Sequence, residues 1–310
     1  MRWVAKALLQ KGLSALPHPE RANYVLQRHV THSLPVPEEG FRRRFERAVR
    51  HVDAYAEHGP KRPLAEAVFY EFGAGWDFAV PLSFWSLGVE RQILVDLRPN
   101  LRLPLVEVSL RRLRELVGVD RDLRDPGRAA VNSVAELEAR FGIRYLAPCD
   151  ARATGLPSAS IGFVSSTSTL EHIPAEDLVP LLAESRRLLC PDGALSCRID
   201  LSDHFSHFDA SLSPYNFLRY SDRAWRLANS TLLYQNRLRR PDYLAAFQAA
   251  GLTVVEEKSW RPASSAAELD RIDLAERFRS YAADDLAVQG LRIVARPSPD
   301  ALEEREDIVG

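Results

Sequence analysis

Cysteine is scarce in this chain, and its scarcity excludes two kinds of protein. Only three of the 310 residues are cysteine, and no two of them form a C-x-x-C pair. A disulfide-stabilised scaffold and a thiolate zinc site are therefore excluded. The three thiols, Cys149, Cys190 and Cys197, lie in apolar or strand-like surroundings, and we expect a reducing, cytoplasmic compartment.

Long apolar runs and an excess of charge of one sign are also absent. No segment approaches the roughly 18 apolar residues that span a membrane, and the basic start "MRWVAKALLQKGLSAL" lacks the apolar core of a signal peptide. We predict a packed helix there, with a membrane-surface helix as the alternative. The net charge of −1 gives no sign of nucleic-acid binding. We interpret the basic run "RRRFERAVR", residues 42–50, as a solvated helix face.

The sequence does contain two successive patterns of secondary structure. Before the breaker "GPKRP" at 59–63, apolar residues such as Phe41, Phe45 and Val49 recur at three- and four-residue spacing, which predicts helices. After it, short apolar runs alternate with helical periods. The predicted parts are an N-terminal helical cap over 1–60, an α/β domain over 61–296 with insertions at 201–240 and 259–290, and a flexible tail over 297–310.

The second pattern predicts a doubly wound α/β fold with a mostly parallel, seven-stranded sheet, because strands separated by helices are joined by right-handed crossovers. The expected strands are Ala67–Phe72, Gln92–Asp96, Ile143–Ala147, Ile161–Ser165, Ala194–Asp200, Thr253–Lys258 and Leu291–Ala295. The expected helices are Phe78–Leu87, Leu105–Val117, Ala175–Leu189 and Pro241–Ala250. Insertions as long as the two predicted ones usually serve as lids or substrate walls.

A glycine turn follows the first predicted strand, in "AVFYEFGAGWDFAV". Its amides and the next helix would face the carboxyl edge of the sheet, and Asp96 at the end of the second strand suits the hydroxyls of a ribose. A dinucleotide fold requires a third glycine where Phe78 stands, and Glu71 just before the turn would repel a pyrophosphate. The pattern therefore favours a nucleoside that carries a cationic group.

Five segments in order resemble the motifs of class I S-adenosylmethionine-dependent methyltransferases. They are "EFGAGWD", "VDL", "CDARATGLP", "VSSTSTLEHIP" and "RLLCPDGAL", and the similarity extends over roughly residues 66–258. The segments "LQRHVTHSLP" and "FLRYSDRAW…NRLRRPDYL" further resemble a subgroup from bacterial polysaccharide and secondary-metabolite gene clusters. The resemblance implies a Rossmann-like methyltransferase with S-adenosylmethionine as its cofactor.

The resemblance also implies contacts to that cofactor. Glu71 would face the methionine ammonium, Asp96 the ribose and Asp150 the adenine amino group. The full implied set is Glu71, Gly73, Ala74, Gly75, Asp96, Leu97, Asp150, Ala151, Ser166 and Thr167. Two positions depart from the pattern: Asp77 occupies the place of a frequent glycine, and Gly162 stands where many members carry Asp.

Candidate catalytic groups follow the fourth and fifth strands. His172, in "LEHIP", is interpreted as a base near the methyl group or as a residue that fixes the loop. The segment "RIDLSDHFSHFD" supplies Asp203, His204 and His207. Three interpretations stay open: a base with a carboxylate orienter, a divalent metal held by Asp and His, and a hydrogen-bonded loop. Because no metal-ligand signature is present, we predict no metal.

The first insertion is rich in aromatic and amide side chains, in "SPYNFLRYSDRAWRLANSTLLYQNRL". Such a segment suits a sugar or aromatic acceptor, and it equally suits a helical cap whose aromatics form a core. The candidate substrate-binding residues are Tyr215, Asn216, Tyr220, Trp225, Asn236 and Arg237.

The sequence thus predicts methyl transfer to a small-molecule acceptor, a hydroxyl of a sugar or secondary metabolite. One rival is an NAD-dependent oxidoreductase. The other is a non-catalytic protein that keeps the fold and the cofactor. The expected partner is a small molecule, without nucleic acid or integral membrane, and a homodimer is left open.

Overall fold

Three helices precede the first strand in the computed structural model, which describes residues 2–30, 33–119 and 122–299. Helix α1 is Arg2–Ser14, α2 is Pro19–Val25 and continues as one π-helical turn over Leu26–Val30, and α3 is Glu38–His58. The predicted N-terminal helices are therefore present.

Seven strands form one sheet in the order β3-β2-β1-β4-β5-β7-β6. All neighbouring strands are parallel except β7, which runs antiparallel to both β5 and β6. This arrangement confirms the predicted fold class. The strands are β1 Val68–Phe72, β2 Arg91–Val95, β3 Ile143–Leu146, β4 Ile161–Thr167, β5 Leu189–Asp200, β6 Leu252–Trp260 and β7 Gly290–Pro297.

Eight further helices connect these strands or lie within the insertions of the described part. They are α4 Ala79–Ser86, α5 Leu103–Leu116, α6 Val134–Phe141, α7 Ala175–Leu188, α8 Asp222–Ala228, α9 Arg240–Ala249, α10 Ser265–Leu269 and α11 Ala283–Leu286. The sequence did not lead us to α6. Its start carries a recognisable signal, because Ser133 accepts a hydrogen bond from the Glu136 amide at 3.2 Å as an N-cap residue does.

Helix α3 packs on one face of the sheet and shares its core. Ala48 and Tyr55 lie in the same hydrophobic cluster as Phe69 of β1 and Phe163 of β4. The buried His51 bonds from α3 to the Ser196 hydroxyl at 2.9 Å and to the Thr167 hydroxyl at 3.1 Å. Helices α7 and α9 contribute to the cluster on the other face. The predicted boundary at residue 60, between an N-terminal helical cap and the α/β domain, stays a prediction. Helix α3 is one of the helices that cover the sheet.

Helix α1 packs on the first insertion. The Trp3 ring lies 5.4 Å from the Phe205 ring and 5.6 Å from the Tyr220 ring, measured between centroids. A separate hydrophobic cluster joins α1 with both insertions. No helix of the described ranges is long and apolar enough to cross a membrane. The three cysteines are free thiols, and most of the predicted tail, 300–310, lies outside the described residues.

Candidate active site

The glycine turn after β1 closely approaches the loop after β4. Gly73 and Gly75 have φ of +76° and +78°, a region that side chains with a Cβ rarely adopt. A Cβ on Gly73 would lie 2.5 Å from the Thr169 side chain, whereas a Cβ on Gly75 would enter open space. Gly73 therefore allows the turn to pack against the Thr169 side chain, and Gly75 leaves room for a ligand beside the backbone.

Replacing each glycine by alanine should separate these two roles. We expect Gly73→Ala to lower the free energy of unfolding by about 2–3 kcal/mol, through steric overlap and backbone strain. Gly75→Ala carries only the backbone strain, about 1 kcal/mol, but places a methyl group in the ligand space. Thermal unfolding and S-adenosylhomocysteine titration measure the two effects. Equal stability losses with equal affinities would contradict the assignment.

Two buried carboxyl groups lie under this turn. Glu71 is 2% exposed and Asp96 is 6% exposed. Asp96 accepts hydrogen bonds from the Tyr145 hydroxyl at 3.0 Å and from the Ala74 amide. Within the described ranges, Glu71 Oε2 has no hydrogen-bond partner.

Burial makes ionisation of this pair unfavourable. It raises the pKa of Asp96 to about 7, and burial together with the nearby Asp96 raises the pKa of Glu71 well above its usual value. A cation bound beside the two groups would offset this cost. The site therefore fits a ligand with a positive charge, as the sequence predicted.

The other predicted cofactor residues line the carboxyl edge of β2, β3 and β4. Leu97 is 64% exposed, and Ala151 is half-buried. The Asp150 carboxylate lies 2.6 Å from an Arg152 nitrogen, and these bonds lower its pKa. Ser166 is fully buried, and its hydroxyl has no partner among the described residues. The hydroxyl of Thr167 is held by His51.

The structure shows what surrounds Asp77 and Gly162, the two positions that depart from the motif pattern. Asp77 accepts a hydrogen bond from the Ala79 amide at the start of α4 and forms an ion pair of 2.5 Å with Arg44 of α3. Gly162 lies where the register of β4 and β5 shifts, and a Cβ there would meet only ordinary contacts with Pro60 and Val68. Asp77 thus ties α3 to the helix that follows the glycine turn.

Three imidazoles form a row from the loop after β4 to the loop after β5. The ring centroids of His172 and His204 are 4.9 Å apart, and those of His204 and His207 are 5.2 Å apart. His172 Nδ1 donates to the Tyr234 carbonyl at 2.6 Å, which leaves Nε2 with the lone pair. Burial lowers the pKa of His172, and burial with the nearby His172 lowers that of His204 to about 3. Both buried rings are therefore neutral near pH 7.

Glu171 is a residue of this cluster that sequence reasoning missed. Its Oε1 accepts from the Asp200 amide at 3.2 Å, and burial raises its pKa to about 8. Glu171, His172 and His204 each have a ligand atom within 4.8 Å of the other two. The spacing admits a divalent metal, so the metal alternative stays open. The available signal was the Glu-His pair in "LEHIP".

His207 is the exposed end of the row and has a defined tautomer. The Ser202 hydroxyl donates to Asp200 Oδ1 at 2.6 Å, and His207 Nε2 lies 3.0 Å from the same hydroxyl oxygen. Because the serine proton is used by the carboxylate, Nε2 must be the donor to Ser202, and Nδ1 keeps the lone pair. His207 Nε2 also lies 3.9 Å from Asp200 Oδ2.

Asp203 stands apart from the imidazole row. It is completely buried, and its carboxylate accepts from the Phe205 amide at 2.8 Å and from the Asn216 side chain at 3.0 Å. These bonds cap the short 3₁₀ turn His204–His207. The structure thus brings Asp203 and Asn216 together; a catalytic role for Asp203 stays a prediction.

The predicted substrate residues mostly pack within the first insertion. The Tyr215 hydroxyl donates to the Ala287 carbonyl and accepts from the Ser265 hydroxyl, both at 2.7 Å. Trp225 and Tyr220 stack in the cluster that includes α1. The buried Arg237 donates to the carbonyls of Phe217 and Tyr220 and pairs with Asp222. Contacts of these residues with an acceptor stay a prediction.

Asn236 has a different position from the other members of that set. Its amide nitrogen donates to the carbonyls of Leu170 and Ile173 at 2.8 and 2.9 Å, on either side of His172. Asn236 therefore holds the loop that carries Glu171 and His172.

A cavity of about 790 Å³ opens at the carboxyl edge of β5, between α3 and strands β5 to β7. Asp200, Ser202 and His207 lie in its wall, together with Arg47 and Arg50 of α3. Sequence reasoning missed these arginines, because it placed them on a solvated face. The signal was their spacing, since Arg43, Arg47 and Arg50 share one face of a helix.

The described geometry places the glycine turn and the buried pair Glu71 and Asp96 at the carboxyl edge of the sheet, where a cavity with His207 in its wall also opens. Residues 106–197 match the family model of the methyltransferase domain. The match covers less than half of the chain, from α5 into β5, and it includes the Asp150 loop and His172. It begins after the glycine turn and Asp96. It bears out, at this coarse level, the predicted methyltransferase class and its predicted cofactor, S-adenosylmethionine.

No curated protein sequence matches the chain significantly. Among solved structures, the methyltransferase fold recurs with low similarity. A geranyl diphosphate C-methyltransferase from Streptomyces coelicolor A3(2) is 14% identical, with a TM-score of 0.45 over 81% of this chain and 78% of that one. The CurJ carbon methyltransferase is 14% identical, with a TM-score of 0.43 over 81% of this chain and 54% of that one. Similarity at this level says nothing about the acceptor.

Proposed function

We propose that this protein transfers the methyl group of S-adenosylmethionine to a hydroxyl of a small molecule, a sugar or a secondary metabolite of the kind made by bacterial polysaccharide and secondary-metabolite gene clusters. The observation that carries the proposal is the buried pair Glu71 and Asp96 beside the glycine turn. The cofactor supplies an electrophilic methyl group on a sulfonium and a cationic amino-acid tail. A site built for a pyrophosphate would not hold two carboxyl groups there, because like charges repel.

The cofactor residues have separate tasks in this proposal. Asp96, once ionised, accepts hydrogen bonds from the ribose hydroxyls, and Glu71 balances the ammonium group. Gly73, Ala74 and Gly75 allow close approach of the backbone. Asp150 and Ala151 recognise the adenine, with Leu97 against its face. Ser166 and Thr167 lie at the end of β4, where the methyl group is transferred.

The cavity beside β5 supplies the acceptor side. His207 lies in its wall with a lone pair on Nδ1, and Asp200 and Ser202 hold the ring through Nε2. We assign His207 as the base that takes the proton of the acceptor hydroxyl, because a positioned imidazole speeds such a transfer. His172 and His204 complete the row behind it, and Asn236 positions His172. A held imidazole with a free lone pair in the wall of an open cavity favours a catalytic protein over a non-catalytic one.

Calorimetric titration with S-adenosylhomocysteine tests the cofactor assignment, with NAD as the control ligand. We expect micromolar binding of the first and none of the second. Each carboxyl group that loses its proton when the ligand binds makes the affinity rise by about tenfold per pH unit below the pKa of that group, so affinity should rise at least about tenfold per pH unit below about pH 7, the pKa of Asp96. Proton release should appear as a difference between buffers of different ionisation enthalpy. Binding of NAD instead, or a pH-independent affinity, would contradict the proposal.

A further inference from the structure

Among the described residues, three arginines in the wall of the 790 Å³ cavity form no ion pair with a carboxylate: Arg47 and Arg198, which are half-buried, and the exposed Arg50. Arg47 projects from α3, and Arg198 comes from β5. Within the described ranges, the Arg47 side chain forms no hydrogen bond or ion pair, and the Arg198 side chain donates one hydrogen bond, to the Ser168 hydroxyl at 2.7 Å. Their neighbours differ, since Arg292 pairs with Glu256 and Arg44 pairs with Asp77.

The charge of Arg198 also acts against the charged form of Arg47. Burial lowers the pKa of Arg47 to about 10, and the positive charges of Arg198 and Arg44 add to the effect. Asp200 lies near both groups, but its carboxylate accepts from Ser202 and faces His207. Arg47 and Arg198 are two half-buried positive charges that face a cavity, just as Glu71 and Asp96 are two buried acidic groups beside the glycine turn. An anion between the two groups would relieve the repulsion.

We infer that Arg47 and Arg198 bind an oxyanion of the methyl acceptor, a phosphate or a carboxylate, so that the acceptor is an acidic small molecule. The inference rests on the proposed function and narrows its substrate class. Guanidinium groups bind both oxyanions through paired, charge-assisted hydrogen bonds. The acceptor hydroxyl would then approach His207 while its anionic group is held by α3 and β5.

The position of Arg198 places the proposed anion site next to the end of β4. Arg198 is paired with Thr167 across β4 and β5, and Thr167 ends β4 at the cofactor edge. Neighbouring strands lie about 4.8 Å apart. The proposed anion would therefore be held from the strand next to the end of β4, so it would orient the acceptor as well as attract it.

Anion titrations of the protein loaded with S-adenosylhomocysteine test the inference. Inorganic phosphate and acetate serve as the two probes, at constant ionic strength, with thermal stability and calorimetry as readouts. We expect wild type to bind at least one probe, with Arg47→Gln weakening it by at least about tenfold. A stronger response to phosphate indicates a phosphate-bearing acceptor, and a stronger response to acetate a carboxylate.

Arg42→Gln is the matched control, because Arg42 lies on the same helix outside the wall of this cavity and pairs with the exposed Glu38. It should leave both responses unchanged. Arg198→Gln gives a second variant, on another element. No response of wild type to either probe, or equal responses of wild type and Arg47→Gln, would overturn the inference. Titration with S-adenosylhomocysteine alone reports separately on the proposed function, since Arg47 does not touch that site.

Discussion

Replacing Asp96 by Asn will weaken the binding of S-adenosylhomocysteine by at least about 100-fold and will stabilise the free protein above pH 7. The first effect follows from the loss of a charged acceptor for two ribose hydroxyls. The second follows from linkage. The unfolded chain loses the Asp96 proton near pH 4, whereas the folded protein holds it up to about pH 7, so stability falls as the pH rises between these values.

The pKa shift of Asp96 sets an upper bound on the stability that Asp96→Asn can gain. A shift from 3.8 to about 7 corresponds to about 4 kcal/mol. Because the Asn side chain keeps only part of the hydrogen bonding, we expect about 1–2 kcal/mol, or a rise of about 2–4 °C in melting temperature. Differential scanning calorimetry at pH 8 measures it.

Glu184→Gln is the control for this stabilisation. Glu184 is also buried, but its carboxylate pairs with Arg187 at 2.6 Å, and this bond lowers its pKa to about 2. Removing that charge should destabilise the protein and leave cofactor affinity unchanged. If Asp96→Asn destabilised the protein, or still bound the ligand, the assignment of the acid pair would be wrong.

Replacing His207 by Asn will lower kcat by about 100- to 10,000-fold, the range typical of a lost general base. The change removes the lone pair on Nδ1 and keeps a side chain that can bond to Ser202. Binding of S-adenosylhomocysteine should be unaffected, because His207 lies on the acceptor side. The assay measures S-adenosylhomocysteine release with acceptors drawn from acidic sugars and phenols.

The variant His172→Asn tests whether His207 or His172 is the general base. His172 is held by the Tyr234 carbonyl and lies behind the cavity wall, so we expect a smaller loss of kcat than for His207→Asn. A larger loss would transfer the role of the base to His172. Wild-type binding of the cofactor without methylation of any acceptor would favour the non-catalytic rival.

The sheet was predictable because its signals are local. Each central strand is a short apolar run, β1 carries Glu71 next to its last residue, and β2 ends directly before Asp96. The boundary of β5 was missed because "CPDG" has the composition of a turn, yet Leu189 pairs with Ile161 across the irregularity in β4. Helix α6 was missed because it spans only eight residues, too few for a clear period.

The candidate site likewise contains residues that a local motif predicts and residues that only the packing of distant segments brings together. Glu71, Gly73 and Asp96 lie within about thirty residues of one another in the sequence, and their motif contains the information. Arg47 and Arg198 meet only because α3 packs on the sheet, and no local pattern reports that contact. For the same reason the sequence could not distinguish Tyr215 and Arg237, which are engaged within the insertion, from side chains that line a cavity.

The burial of His51 under α3 affects how acid tolerance should be interpreted. Its pKa is lowered to about 3, mainly by burial, so unfolding takes up a proton below about pH 6.5 and stability falls as the solution is acidified. Asp96 contributes to the pH dependence of stability with the opposite sign, because its raised pKa makes the folded protein more stable as the pH falls from about 7 to about 4. The two contributions offset each other between about pH 4 and pH 6.5. A flat stability profile in that interval would therefore conceal two large titrations, and removing the Asp96 charge would reveal the acid sensitivity of the contact between α3 and the sheet.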